Sequence, residues 1–216
     1  MRQAMNRFDR PRQLFAVSLA GLAGFVDAAG FLSANGYFVS FMSGNTTRLA
    51  VDLATGLYSA IVPALLIIGF IIGVASGGVV ADKAGIWRKP SVLALVAALL
   101  MVAAILHAWG YASATLAALV MAMGALNNTF LRGGEIAIGL TYMTGALVKI
   151  GQGVSAALLG KPMGNWRASL ALWMGLLVGA VAGALAWSHW QALCLWLAVA
   201  WALAMMVIAL KLPAET

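Results

Sequence analysis

The sequence predicts an all-α membrane protein built from two inverted-topology repeats. Each repeat is expected to hold three transmembrane helices plus a broken or re-entrant half-helix segment. Three observations lead there: the scarcity of charge, the placement of the basic residues, and an internal repeat. Only 9% of the 216 residues are charged while 63% are apolar, and the mean hydropathy is +0.98. A soluble domain carries about a quarter charged residues, so this chain lacks the polar groups to clothe a water-facing surface.

The elements follow in order. Residues 1–13 form a basic tail, with Arg2, Arg7, Arg10 and Arg12 against Asp9. The apolar run behind it is long enough to stay in the bilayer and carries no convincing small-residue cleavage site. The tail is therefore expected to be cytoplasmic and retained. Apolar runs at about 14–34, 60–81, 91–109, 113–131, 168–187 and 190–210 each approach the roughly 20 residues that a crossing needs. Two further segments are apolar enough to enter the bilayer but too polar for a plain lipid-facing span. Tyr37–Tyr58 contains Asn45, Arg48, Asp52 and several hydroxyls, and Ile136–Gly160 contains Lys149, Gln152 and five glycines.

Loop charge predicts their path. Lys83, Arg88 and Lys89 mark 82–90 as cytoplasmic, like the tail. Two segments on one side require an even number of crossings between them, so 37–58 is expected to enter and return. The same parity places Arg132, Lys161, Arg167 and Lys211 on the cytoplasmic side if 136–160 also returns. It leaves 107–113 and 187–190, which lack Lys and Arg, outside. Six spans follow, with both termini in the cytoplasm.

The halves repeat in order. Gly24-Phe25-Val26-Asp27-Ala28 aligns with Gly124-Ala125-Leu126-Asn127-Asn128, and Ser40-Phe41-Met42-Ser43-Gly44 with Thr141-Tyr142-Met143-Thr144-Gly145. Arg48-Leu49 then matches Lys149-Ile150, and Gly69, Gly73 and Gly77 match Gly175, Gly179 and Gly183. The organisation is a tail at 1–13, repeat 1 at 14–109, repeat 2 at 110–211 and a C-terminal tail at 212–216. Three spans per repeat is an odd number, so the second repeat is inverted. By analogy of fold alone, that architecture is typical of secondary transporters, and some channels, with a site near the midplane.

The candidate site follows from the two polar segments. Tyr37–Phe41 reads as extended, Ser43 as an N-cap, and Gly44 and Asn45 as a first turn; Thr144 is the corresponding N-cap in the second half. Two such starts facing each other at mid-depth would offer free N–H groups to an anion or a polar group. Ser43, Gly44, Asn45, Thr46, Thr47, Met143, Thr144 and Gly145 would line it, with Asn127 and Asn128 as polar contacts. Arg48 and Lys149 sit where a cation opposes the helix dipole, so they contact the ligand or a carboxylate. For Arg48 the alternative is a pair with Asp52; for Lys149 it is snorkelling to the cytoplasmic interface. Asp27 is expected near the centre of the first span, where an unpaired carboxylate is costly; it couples protons or forms a fixed ion pair with Arg48. The glycine series is a packing signal, within the chain or in a homodimer.

Other classes find no support. The net charge of +7 lies in short segments that orient the protein, not in a nucleic-acid surface. Cys194 is the single cysteine, so no intrachain disulfide can form. His107 and His189 lie near span ends as interfacial residues. Arg132-Gly133-Gly134-Glu135 reads as a cytoplasmic turn. No nucleotide loop, zinc site or nucleophile–His–acid set occurs, so no cofactor, metal or enzymatic activity is expected.

Gly24–Ala28, Phe41-Met42-Ser43-Gly44-Asn45-Thr46 and Tyr142-Met143-Thr144-Gly145 resemble the YoaK family of bacterial membrane proteins, which carries a Met-Thr-Gly-Asn-Thr segment and a label of unknown function. Ser43 replaces the usual threonine and keeps the hydroxyl. Ala146 and Leu147 replace polar residues in the second half, which is expected to contribute less to a site. The resemblance implies the bacterial inner membrane and supplies no substrate. The leading expectation is a small secondary transporter of a small anionic or polar solute. A non-transporting scaffold or assembly factor is the alternative, and a channel for a small anion the third reading.

Overall fold

The computed structural model describes residues 10–212, apart from 35, 57, 133, 134, 137, 138 and 142. Arg2, Arg7 and Asp9 of the basic tail, positions 133 and 134 of the expected turn, and 213–216 of the C-terminal tail lie outside the described residues. Among the described residues seven α-helices follow one another: α1 Arg10–Ser33, α2 Met42–Thr55, α3 Ile61–Ala84, α4 Arg88–Ala108, α5 Ala112–Leu126, α6 Met143–Leu158 and α7 Trp166–Lys211. Helix is what the composition demands, because in lipid a segment must satisfy its own backbone polar groups. The remaining regular structure among the described residues is two 3-10 turns, Gly85–Trp87 and Asn127–Phe130, and a two-residue antiparallel pairing of Leu131–Arg132 with Glu135–Ile136. That pairing lies where the Arg132–Glu135 turn was expected.

Among the described residues four continuous helical stretches are long and apolar enough to cross a membrane: Arg10–Ser33, Ile61–Ala108, Ala112–Phe130 and Trp166–Lys211. The second and fourth, at 48 and 46 residues, have about twice the length of one span. Each is interrupted midway. Gly85 adopts a left-handed φ of +53° and turns the chain between α3 and α4. Trp190 leaves helical geometry at φ −138°, ψ 53° and divides α7 into arms at 166–189 and 191–211. The chain is thus an all-helical, multi-pass membrane protein. Its long helical segments coincide with the six apolar runs to within a few residues. α2 and α6 occupy the two polar segments. At 14 and 16 residues they are about 21 and 24 Å long, short of the roughly 30 Å hydrocarbon core.

The glycines direct the packing. α1 and the first arm of α7 run in the same direction, Val17 against Gly175, Gly21 against Gly179 and Phe25 against Gly183. A Cβ on Gly179 would overlap the Gly21 carbonyl, and one on Gly24 the Leu176 carbonyl. α3 and α5 meet likewise, Gly73 against Met121, Gly77 against Ala125 and Gly124 against the Phe70 carbonyl. Both glycine seams therefore lie within one chain, and each joins an element of one half to an element of the other.

Side-chain contacts fix the directions of the helices. Phe15 packs edge-on to Phe130 at 5.9 Å, and the Lys89 ammonium lies 5.5 Å from the Phe130 ring. The starts of α1 and α4 thus share one end with the 3-10 turn after α5. His107 meets Trp187 at 5.1 Å, which puts the ends of α4 and the first α7 arm at the other. The second α7 arm returns along α1, where Trp201 Nε1 donates to Ser18 Oγ at 3.0 Å. α1 and α5 are the most enclosed spans, 67% and 72% buried against 39% for the two double-length stretches. They form the centre of the bundle, and the others carry the apolar outer face.

Candidate functional site

After the turn that closes α1, the N–H groups of Phe38, Val39 and Ser40 have no backbone partner among the described residues and need others. Two side chains supply them. Asp27 Oδ1 accepts from the backbone N–H of Val39 at 2.8 Å and of Ser40 at 2.7 Å. Asn45, fully buried, grips one residue from both sides: its Nδ2 donates to the Phe38 carbonyl at 2.7 Å and its Oδ1 accepts from the Phe38 N–H at 3.1 Å. Gly30 lets Val39 lie directly on α1, and Gly44 admits the rings of Phe38 and Phe41.

Several expectations need correction. Ser43 is not an N-cap: α2 begins at Met42, Phe41 holds the cap position, and its carbonyl accepts from the N–H of Gly44 at 3.1 Å and of Asn45 at 3.4 Å. Ser43 is an exposed first-turn residue. Thr144 likewise lies inside the first turn of α6, which starts at Met143, and position 142 falls outside the described residues. Among the described residues no ion pair joins Asp27 or Asp52 to Arg48. The Asp27 carboxylate is turned to the extended backbone, and the Arg48 guanidinium lies over the Tyr37 ring at 4.6 Å. Asp27 stands six residues before the end of α1, about 9 Å along the axis. Thr46 and Thr47 turn their hydroxyls back to the carbonyls of Met42 and Ser43, at 2.8 and 3.2 Å.

The second half repeats the first contact with different chemistry. Asn127 Oδ1 accepts from the Thr141 hydroxyl at 3.2 Å, while its Nδ2 donates to the Met123 carbonyl at 3.0 Å. Asn127 and Thr141 are the repeat counterparts of Asp27 and Ser40. Asn128 Nδ2 donates across to the Val74 carbonyl of α3 at 2.9 Å. Ala146, buried, stands where the first half has Asn45. Gly145 and Lys149 are exposed on α6.

The candidate residues therefore form two groups. α2 packs on α3 and α6 on α7, and among the described residues no comparable packing joins the two short helices. Taking the Phe15–Phe130 contact as a common level, Asp27 lies about 18 Å along α1, and Asn127 about 6 Å back towards α5 through the 3-10 turn. One cavity accompanies the first group. It measures about 320 Å³ and lies between α1 and the first arm of α7, with Asp27, Phe31, Phe38, Leu176 and Ala180 in its wall. Of these wall residues the sequence had singled out Asp27 alone. Phe38 was visible as part of the aromatic extended run; Leu176 and Ala180 arrive through the Gly24–Gly179 seam, which pairs residues over 150 positions apart.

Residues 15–208 match the family described as "Protein of unknown function (DUF1275)". The chain belongs to this family. It is also 35% identical, over 196 residues, to a UPF0700 transmembrane protein of Rhizobium meliloti (strain 1021), covering 91% of this chain and 85% of that one. The YoaK resemblance read from the paired motifs is consistent with this DUF1275 membership. No solved structure matches the chain.

Proposed function

We propose that this DUF1275 protein is a small secondary transporter for a small polar solute in the bacterial inner membrane, with both termini cytoplasmic. It crosses six times, through α1, α3, α4, α5 and the two arms of α7, while α2 and α6 enter and return. The two halves are inverted repeats. Support comes from the reciprocal seams: the opening helix of each half, α1 or α5, packs on a glycine-bearing helix of the other. It comes also from the recurring bond between Asp27 or Asn127 and the segment before the next short helix. Such paired halves with broken helices are the usual frame for alternating access.

One observation carries the functional step. Asp27 sits in the wall of the cavity and simultaneously holds the backbone of the segment that enters α2. A solute that engages this carboxylate changes what holds the segment, and so couples occupancy to the position of α2. The anionic version of the substrate loses its basis. It needed two helix N-termini at one place, and they lie apart, while the cavity wall carries a carboxylate.

The test is flux in proteoliposomes with a panel of labelled polar solutes, under an imposed pH gradient or membrane potential. Asp27→Asn is expected to reduce uptake to background. Equal flux by wild type and Asp27→Asn would remove the site, and no flux from any panel member would favour a scaffold. Topology is tested with single cysteines at Ile86 and Tyr111, both exposed, against the buried native Cys194. A membrane-impermeant maleimide should label Tyr111→Cys in intact cells and Ile86→Cys only after permeabilisation.

A further inference from the structure

We propose that the Asp27 cavity binds an organic monocation with an apolar body, an aromatic or quaternary ammonium, which reaches it sideways from the lipid. The proposal deepens the transporter reading and rests on it for its physiological meaning, though not for binding itself.

The chemistry of the wall selects the ligand. Asp27 is its one charged residue. Oδ1 accepts from the backbone N–H groups of Val39 and Ser40, and the Ser40 hydroxyl and the Phe41 N–H also bond to the carboxylate, so a cation meets an anion already oriented by its own chain. Beside it stand aromatic rings: Phe31 and Phe38 are 4.9 Å apart, and Phe41 meets Phe38 edge-on at 5.2 Å. A carboxylate with aromatic faces attracts a weakly hydrated cation by charge and by ring quadrupole. No basic residue competes. Arg48, the one Lys or Arg between Arg12 and Lys83, is engaged over Tyr37 and absent from the lining.

The same wall rejects the other classes. Na⁺, K⁺ or a divalent ion would need a shell of oxygens, and apart from the carboxylate the cavity wall is made of apolar residues. A sugar or a zwitterion would leave hydrogen-bonding groups unpaired against Leu176, Ala180 and the phenyl rings. A quaternary ammonium has no such groups to satisfy. The route follows from the rim, where Phe31 and Leu32 are 38% and 47% exposed on the apolar flank. Ala180 and Ala184 keep the groove open beside the glycine seam. A solute with an apolar body concentrates in the bilayer and meets this opening directly.

The experiment uses the full chain in detergent, with labelled benzyltrimethylammonium in equilibrium dialysis and neopentylbenzene, its uncharged carbon isostere, as competitor. Saturable binding of the cation is expected, with little displacement by the isostere. Asp27→Asn should weaken binding about tenfold or more while leaving the melting midpoint nearly unchanged, because an asparagine Oδ1 can accept the same two backbone bonds. Ala180→Phe, which fills the groove and keeps the charge, should also abolish binding; this second variant decides the matter if Asp27→Asn fails to fold. Absence of saturable binding, retention of affinity in both variants, or equal competition by the isostere would each overturn the proposal. Cation binding without flux in proteoliposomes removes the transporter reading and leaves this one standing. Flux of a neutral solute without cation binding does the reverse.

Discussion

The two halves of the molecule solve one problem with unequal means. In the first, the break before α2 is held by a carboxylate and an amide, Asp27 on Val39 and Ser40 and Asn45 on both sides of Phe38. In the second, Asn127 holds the Thr141 hydroxyl, and an alanine stands where Asn45 would be. The glycine seams, by contrast, are alike in both. Similar glycine packing thus accompanies different polar contacts in the two halves. The half-buried carboxylate of the first half faces a cavity that α7 of the second half helps to wall.

The largest expected effect probes what the halves share. Gly179→Val and Gly73→Val each drive a side chain into the backbone of a facing helix, Gly21 in one seam and Met121 in the other. Helices must part to admit it, so both should lose about 3 kcal/mol or more, read as loss of the monodisperse peak and of the thermal transition in detergent. Gly151→Ala is the control, since nothing lies within 4 Å of its added carbon. If one seam tolerates valine and the other does not, the halves are not equivalent scaffolds.

Next comes a contact found in one half only. Asn45→Ala leaves both the N–H and the carbonyl of Phe38 without their side-chain partner. An orphaned buried group costs about 1–3 kcal/mol, so the midpoint should fall clearly, though less than for the seams. An unchanged midpoint would mean that the first half, like the second, does not depend on this clamp.

Part of this contrast was legible in the sequence. The apolar runs located the long segments, because lipid demands helix and hydropathy reports it directly. The glycine periodicity announced close packing, and the doubled motifs marked the two breaks. The partners were not legible. Glycine spacing identifies a helix face but not which helix meets it, and the exchange between halves depends on tertiary packing. The N-caps assigned to Ser43 and Thr144 failed because capping preference describes helix starts in water. Here the Phe41 carbonyl takes the first N–H groups while Asn45, four residues on, closes back over the approach. The Asp27–Arg48 pair failed for a related reason. Opposite charges on neighbouring segments look like partners, but free backbone N–H groups inside a membrane compete for the carboxylate and win.

A smaller effect should separate the halves at their equivalent residues. Asn127→Asp replaces the amide that donates to Met123 by a group that faces the same carbonyl with an oxygen. It should destabilise by about 1–3 kcal/mol, whereas Asp27→Asn should leave stability nearly unchanged. Equal sensitivity at the two positions would contradict the division of labour between amide and carboxylate.

The smallest effect decides what Arg48 does. As a cation over the Tyr37 ring at 4.6 Å, on a partly exposed helix, it contributes about 0.5–1 kcal/mol, and Arg48→Ala should lower the midpoint by little. Were it instead the counter-ion of Asp27, removing it would strand a charge and cost about 3–5 kcal/mol. The double variant with Asp27→Asn separates the two accounts. Independent sites add, and a broken ion pair is rescued when its second member is neutralised. Additive midpoints are expected, because Asp27 turns to the backbone of Val39 and Ser40 and Arg48 turns to an aromatic face. Rescue by Asp27→Asn would restore the ion pair, return the carboxylate to a structural role, and take the charge out of the cavity.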